Sequence, residues 1–421
     1  MNNRFKTYAS TWTNRLCFLF IASILLSLTS CSDEVAKNDD ERTYFLKKYG
    51  NQNAEFCGYI GQTADKGFVI ASSQNDGKDD ARSMFLTRTN AFGSVEWQKE
   101  IKFNEQTFPR GTTLNNGNHL ISSWTSGNIA IVNDAGDVLV DNNFRPDITG
   151  TKFAFFSSVI DGDDGLYYVG STNGQGTGGA GDNRIQGFDQ NGNTTFSVAI
   201  SDSRMGGKVL FISAVRIENG EITFAGNIYP NPWQWGDPAK AFVAKIKLNT
   251  ADLNVTIFDL QENHEHDYLN ASIPTNDNGV ALLVAEGHVG FSQIGTEGTG
   301  FEVIKSNANA DLEWKTEVTV GIGGVTPMSI RETEDGSLIV TGSCLTTGTS
   351  NENSFVVRLT KTGEVAFSKV FDIPGSNLFT DGNQQTDGSY FFTGMTTAFG
   401  NGKEFHDPFI LRADAQGNYN P

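Results

Sequence analysis

Gly336-Ser-Leu-Ile-Val-Thr-Gly342 and Gly388-Ser-Tyr-Phe-Phe-Thr-Gly394 are two copies of one short phrase: a turn glycine, an apolar strand and small residues at its end. The phrase occurs five more times, as Gly67-Phe-Val-Ile-Ala-Ser, Gly117-Asn-His-Leu-Ile-Ser, Gly165-Leu-Tyr-Tyr-Val-Gly, Gly220-Glu-Ile-Thr-Phe-Ala-Gly and Gly279-Val-Ala-Leu-Leu-Val-Ala. Successive first glycines stand 50, 48, 55, 59, 57 and 52 residues apart. A fixed period of this size marks a chain built from stacked copies of one small unit. The strands are apolar on both sides, as in Phe68-Val69-Ile70, instead of alternating with polar residues, so both of their faces must be covered.

A second turn follows each strand: Asn90-Ala-Phe-Gly93, Asn133-Asp-Ala-Gly136, Asp189-Gln-Asn-Gly192, Thr360-Lys-Thr-Gly363 and Asp414-Ala-Gln-Gly417, with degenerate copies at Asn249–Asp252 and Asn307–Ala310. Asx side chains open such turns and glycine supplies the positive φ that ends them. Each repeat then reads as four strands, A to D, and the expected fold is all-β, a seven-bladed β-propeller of four-stranded blades. The seventh repeat stops where its strand D should begin. Thr43-Tyr-Phe-Leu-Lys-Lys-Tyr-Gly50 resembles the strand D segments Val95–Ile101 and Val365–Phe371, so the ring is expected to close through an N-terminal strand that completes the last blade. One propeller domain is expected over 43–421, with no helix of consequence.

The first thirty residues read as an address. Arg4, Lys6 and Arg15 precede an apolar run from Leu16 to Leu28 that suits a signal peptide and is too short to span a membrane. The run meets Leu28-Thr29-Ser30-Cys31, which resembles the bacterial lipobox. That resemblance implies cleavage after residue 30 and lipidation of Cys31, hence a membrane partner through the anchor. Residues 31–42, with Ser32-Asp33-Glu34 and Asn38-Asp39-Asp40-Glu41, read as an acidic tether. Ser32 after the cysteine argues against inner-membrane retention, and the nearby acids resemble the surface-export signal of Bacteroidota lipoproteins. The expected location is the outer membrane at the cell surface, with the periplasmic face as the alternative.

Removing residues 1–30 takes away three basic side chains and no acidic one, leaving 28 Lys and Arg against 49 Asp and Glu, a net charge of −21. A phosphate backbone is repelled by such a chain, which excludes nucleic acid as a partner. Of the four cysteines, Cys17 leaves with the leader and Cys31 is the anchor. Cys57 and Cys344 fall two blade steps apart and read as small buried hydrophobes, so disulfides do not hold this domain together.

In a propeller the D–A and B–C loops share one face and the A–B and C–D turns share the other. Here the first set is long and irregular, as a binding surface on a rigid scaffold would be. Its most informative member is Tyr229-Pro-Asn-Pro-Trp-Gln-Trp-Gly-Asp-Pro238. Tyr229, Trp233 and Trp235 held by prolines offer a stiff aromatic platform suited to a sugar ring or a protein anchor, with Phe291, Phe399 and Phe405 on loops of the same face. The competing reading is that these rings fold back to cap the channel. His264, His266, His288 and His406 also fall on this face. The first two share a side in an extended loop and with a carboxylate would suit zinc; without a local third ligand, ordinary solvated histidines are the competing reading.

Asp161-Gly-Asp-Asp-Gly165 occupies an A–B turn and lacks the later ligands of a calcium loop. Gly174–Gly181 has no helix behind it to make a phosphate cradle. No nucleophile with a base is found, so no catalytic residue is assigned and no cofactor is implied; paired carboxylates from separate blades keep an enzyme as an alternative. The repeats resemble the β-propeller lipoproteins of Bacteroidota along nearly the whole chain after Cys31. Blade two is also similar to a bulb-type lectin repeat, without its sugar-binding signature. The expected function is a non-catalytic surface binding module for a glycan or protein. The alternatives are an accessory subunit of an outer-membrane barrel and a glycan-active enzyme.

Overall fold

The run Leu338–Leu345 is buried at seven of its eight positions. Successive side chains of a strand point to opposite faces, so each face must have its own cover. In the computed structural model of the protein, Leu338 and Val340 pack with Phe301 and Val303 of the preceding sheet, while Ile339 between them packs with Phe379 and Phe392 of the following one. The other core clusters likewise lie between sheets, for example Tyr59, Leu86, Ile121 and Ala130, or Phe45, Phe68, Phe391 and Ile410. Burial of each such side chain contributes about 2 kcal/mol, and it is spent joining neighbours.

The structure describes residues 44–49, 54–75, 82–101, 109–114, 116–123, 128–143, 154–161, 167–173, 184–189, 194–199, 210–218, 220–228, 240–247, 253–258, 268–285, 289–290, 293–294, 300–346, 351–397 and 407–419. Residues 43–421 form one compact unit. The first strand, β1, is Phe45–Lys48. The first blade is β2 (Ala54–Gln62), β3 (Phe68–Asn75), β4 (Arg82–Thr89) and β5 (Val95–Ile101), and the second is β6 (Pro109–Thr113), β7 (His119–Ser123), β8 (Asn128–Val132) and β9 (Val138–Asn143). The third is β10 (Ala154–Asp161), β11 (Tyr167–Asn173), β12 (Arg184–Phe188) and β13 (Thr194–Ala199). The fourth is β14 (Leu210–Glu218), β15 (Glu221–Ile228), β16 (Lys240–Lys247) and β17 (Leu253–Phe258). The fifth is β18 (Tyr268–Pro274), β19 (Val280–Ala285), β22 (Gly300–Ser306) and β23 (Leu312–Thr319), with a small ladder β20 (Val289–Gly290) and β21 (Gln293–Ile294) set into its B–C connection. The sixth is β24 (Gly323–Glu332), β25 (Leu338–Leu345), β26 (Glu352–Leu359) and β27 (Val365–Val370). Last come β28 (Asn377–Gln384), β29 (Tyr390–Thr396) and β30 (Asp407–Ala413), in the sheet order β1-β30-β29-β28. All pairs are antiparallel, and each sheet contacts the next around a ring that returns from β28–β30 to β2.

Three expectations need correction. The count of seven four-stranded blades is one of them: six blades consist of four strands taken in chain order. The remaining sheet is a composite of the last three strands with the first. Counting turn signatures overstates the self-contained units, because a ring leaves no free edge only if one sheet borrows a strand from the other terminus. Second, the B–C connection of the fifth blade is not wholly irregular, since it carries β20 and β21. Third, the turn glycines are not all equivalent. Gly117, Gly336 and Gly388 have positive φ, whereas in the first and fifth blades Lys66 and Asn278 take that conformation and Gly67 and Gly279 follow it.

Those two glycines answer to a different constraint. Thr63 Oγ1 and the Gly67 amide both donate to Asp65, and Arg88 from strand C grips both oxygens of the same carboxylate. A Cβ on Gly67 would lie 2.1 Å from the Thr89 carbonyl and 2.4 Å from Arg88 Nη1. Asp277, Thr275, Gly279 and Lys305 repeat this arrangement. In the sixth blade and the composite sheet, Asp335–Arg358 and Asp387–Arg412 make the same clip beside Ser337 and Ser389. The cation is 6% exposed over glycine and 25% or 16% exposed over serine. The glycine is there so that the cation can fold down.

A second joint links neighbours. Among the described C–D turns, four close on a glycine of positive φ, with Ala310 taking that conformation in the fifth blade, and the preceding blade lays a long side chain over each of the four glycines. Trp97 covers Gly136 and donates through Nε1 to the Asp134 carbonyl; Trp314 covers Gly363 and donates to the Lys361 carbonyl. At the composite sheet, Lys369 covers Gly417, and Phe45 with Tyr49 covers Gly93.

Candidate functional site

The sheets have two unlike ends. At one end the B–C strand ends are held in register across long connections: Asn75↔Arg82, Ser171↔Arg184, Ile228↔Lys240, Ala285↔Phe301, Leu345↔Glu352 and Thr396↔Asp407. At the other end the A–B and C–D turns are short and internally hydrogen-bonded. Tyr229, Trp233 and Trp235 belong to the connection between Ile228 and Lys240, Phe291 to the one bearing β20 and β21, and Phe399 and Phe405 to the one before Asp407. All six lie outside the described residues, as do His264, His266, His288, His406 and Cys31. What is described is that the strand ends bearing these connections share one end of the ring. Among the described residues no group of three His, Cys, Asp or Glu side chains is placed to hold a metal.

Two carboxylates are fixed at the long-loop end. Asp407 is 1% exposed and meets Lys48 Nζ at 2.9 Å, tying the last strand to the first. Glu352 accepts from Ser343 Oγ at 3.1 Å, and burial pushes its carboxyl above the usual range. Cys344 beside it is buried, with its thiol pushed up to about 11 by burial and by the Glu352 charge. Cys57 is also a buried thiol, its Sγ 3.0 Å from Thr393 Oγ1.

The inner strands carry polar groups that sequence reading missed. In β2 the pairing skips a residue between Cys57 and Tyr59, and in β28 between Phe379 and Asp381. A bulge re-aims the side chain that follows it. Tyr59 is fully buried, with its hydroxyl 3.0 Å from Thr113 Oγ1 and 2.9 Å from His119 Nδ1. His119 Nε2 is 3.0 Å from Asp134 Oδ1. A carboxylate only accepts, so Nε2 carries the proton, Nδ1 is the acceptor and the Tyr59 hydroxyl donates to it. Burial lowers the His119 pKa and raises that of Tyr59, so both stay neutral. Gly61 and Gly111 leave the slot for the phenol; a Cβ on Gly61 would lie 2.1 Å from its oxygen.

Asp381 holds Arg331 of the sixth blade through two bonds, Nε to Oδ1 at 3.1 Å and Nη2 to Oδ2 at 2.7 Å. Its charge raises the Arg331 pKa despite burial. Arg331 keeps 37% of its side-chain surface open, while Asp381 keeps 8%. Chemically this is an ion pair at one joint and a hydrogen-bonded Tyr59–His119–Asp134 chain at another. The signal available in sequence was His119, the one histidine placed on a strand.

A ring of antiparallel sheets with its core between the sheets has counterparts among solved structures. A polysaccharide lyase of family 25, an ulvan lyase bound to a glucuronic acid–sulfated rhamnose unit, aligns at a TM-score of 0.55 and 9% identity over 88% of this chain and 97% of that one. Virginiamycin B lyase from Staphylococcus aureus, in a catalytically inactive form with quinupristin, aligns at 0.52 and 14% identity over 87% and 99%. The fold is a β-propeller. At these identities the likeness shows the fold alone. A protein of unknown function from Bacteroides caccae, 17% identical over 64% of this chain and 84% of that one, aligns at only 0.40 and adds nothing to the assignment. No protein-family model matches this sequence, and no curated protein matches it significantly.

Proposed function

We propose that the protein is a lipid-anchored binding module of the outer membrane that engages a glycan or a protein partner through its long-loop end. The observation that carries the reading is the pairing Ile228↔Lys240. It sets the two ends of the connection that contains Tyr229–Pro238 on adjacent, paired strands that are buried along most of their length. Rigid aromatic groups bind with little loss of conformational freedom. Glu352 at the same end, held by the Ser343 hydroxyl, is a polar group within reach of a ligand there. The anchor at Cys31 and display at the cell surface belong to the same reading.

The test is binding of the natively lipidated protein to a glycan array, alongside a detergent pull-down from its own membranes. A ligand or partner retained by the wild type and weakened at least tenfold in Trp233→Ala/Trp235→Ala supports the proposal. Unchanged capture by the double variant overturns it, and turnover abolished by Glu352→Gln would replace binding by catalysis.

A further inference from the structure

Strand B opens on Phe68 in the first blade, Val280 in the fifth, Leu338 in the sixth and Tyr390 in the composite sheet. Each lies in the apolar cluster shared with the sheet before it. In the second blade the same place holds His119, which is fully buried and meets Tyr59 of the blade before. It is the one histidine among the described residues, and the imidazole is the side chain whose ordinary pKa falls between pH 5 and 8. One joint of the ring thus carries a titratable group where four others carry apolar side chains.

The groups around the imidazole come from both blades. Nδ1 accepts from the Tyr59 hydroxyl of β2, which is 3.0 Å from Thr113 Oγ1 of β6, and Nε2 donates to Asp134 in the C–D turn. The ring packs on the backbone of β2, where a Cβ on Gly61 would lie 2.6 Å from Nδ1. Arg88 of β4, paired with Asp65 and Glu96, opposes a second positive charge, and Asp134 favours it. Tyr59 in turn feels the paired Arg331 and Asp381, and Lys99 of β5 pairs with Asp137 in the turn that carries Asp134. Burial outweighs Asp134 and holds the imidazole below its ordinary 6.5. A proton on Nδ1 would meet the hydrogen that Tyr59 donates. The hydroxyls can turn, Tyr59 toward Thr113 and exposed Thr113 toward water, but the new charge stays buried near Arg88, and a buried charge is costly. Parting the two sheets hydrates the ring, which then takes up a proton near 6.5. The closed joint is therefore favoured in full above that pH and progressively less below it.

We propose that the joint between the first and second blades is an acid-sensitive seam, held shut by a neutral His119 and loosened when that imidazole takes up a proton. The test is hydrogen–deuterium exchange of the full-length protein at pH 7.5 and 5.5, corrected for the intrinsic rate at each pH. The comparison is His119→Gln, which keeps a polar side chain that does not titrate in this range; the other four histidines are common to both proteins. In the wild type, protection of β2, β6 and β7 should fall about tenfold between the two pH values, while β19 and β25 of the fifth and sixth blades keep theirs. In the variant the fall should be less than twofold. Where glutamine prevents folding, His119→Phe, the side chain that the first blade carries at this place, replaces it in the comparison. An equal fall in the variant, a fall spread evenly around the ring, or no fall in the wild type overturns the proposal.

Discussion

The joint between the first and second blades and the joint that closes the ring use one socket and two different plugs. At the first, Trp97 lies over Gly136, and Lys99 Nζ donates to the Gly136 carbonyl at 2.7 Å. At closure Gly93 receives two rings, Phe45 and Tyr49, with the Tyr49 hydroxyl 2.5 Å from its carbonyl. The difference follows from covalent connection. β5 is joined to β4 by a short turn, but β1 reaches β30 only through the whole propeller. Replacing a five-residue loop by one of some hundreds costs about 4 kcal/mol of closure entropy. A four-residue strand offsets that only with heavy anchors: Phe45, edge-on to Phe391 at 6.1 Å, Leu46 in the cluster with Phe392 and Leu411, and Tyr49.

The largest expected effect is therefore at closure. Phe45 is 3% exposed, and Phe45→Ala should lose about 3–5 kcal/mol in chemical denaturation. Amide exchange should rise first along β30, whose register partner is β1. Trp97→Ala, at a half-buried residue in an in-line strand, should cost less and leave β30 protected. Equal costs with uniform exchange would mean that closure is no weaker than any other joint.

The socket can be attacked instead of the plug. Gly136 and Gly220 have φ of +79° and +73°, so alanine at either meets the same backbone penalty of about 1–2 kcal/mol. Only Gly136 has a neighbour: its Cβ would lie 2.8 Å from the Trp97 ring, whereas nothing lies within 4 Å at Gly220. Gly136→Ala should exceed Gly220→Ala by about 1–3 kcal/mol, and Gly136→Ala in a Trp97→Ala background should lose that excess. A surviving excess would detach the socket from the indole.

What sequence reading could see follows the same division between local and distant. Turn glycines, Asx openings and strands apolar on both faces are local signals, and they announced a propeller. The clip is not local: Asp65 and Arg88 are 23 residues apart, and Asp277 and Lys305 are 28. Its visible trace was Thr63-Ala-Asp65, Thr275-Asn-Asp277 and Thr333-Glu-Asp335 before the strand. Aligning on glycine alone slipped past it by one residue in two blades. Tyr59 and His119 meet only after two blades have packed, so the chain gives no spacing to read. For the long-loop end, sequence supplies the aromatics and the structure supplies the strand ends that carry them.

The smallest expected effect asks whether the composite sheet is fastened like the others. The Thr63 hydroxyl and Arg88 hold the Asp65 carboxyl down to about 2. For Asp277, burial opposes, but Lys305, Thr275 and the Gly279 amide prevail and hold it at about 2; the Thr333 hydroxyl leads in doing the same for Asp335. Asp387 is also lowered, with bonds from Ser389 and Arg412 outweighing its burial. A carboxyl whose folded pKa lies below its unfolded value adds stability that is complete above about pH 4 and fades as pH falls toward 2. The wild type should therefore lose stability across that window, and Asp65→Asn or Asp387→Asn should flatten the slope while moving neutral-pH stability little, because these carboxyls are more than half exposed. If Asp65→Asn flattens the acid slope and Asp387→Asn does not, the composite sheet relies on β1 and its aromatics alone, and its clip is not the equivalent of those in the first, fifth and sixth blades.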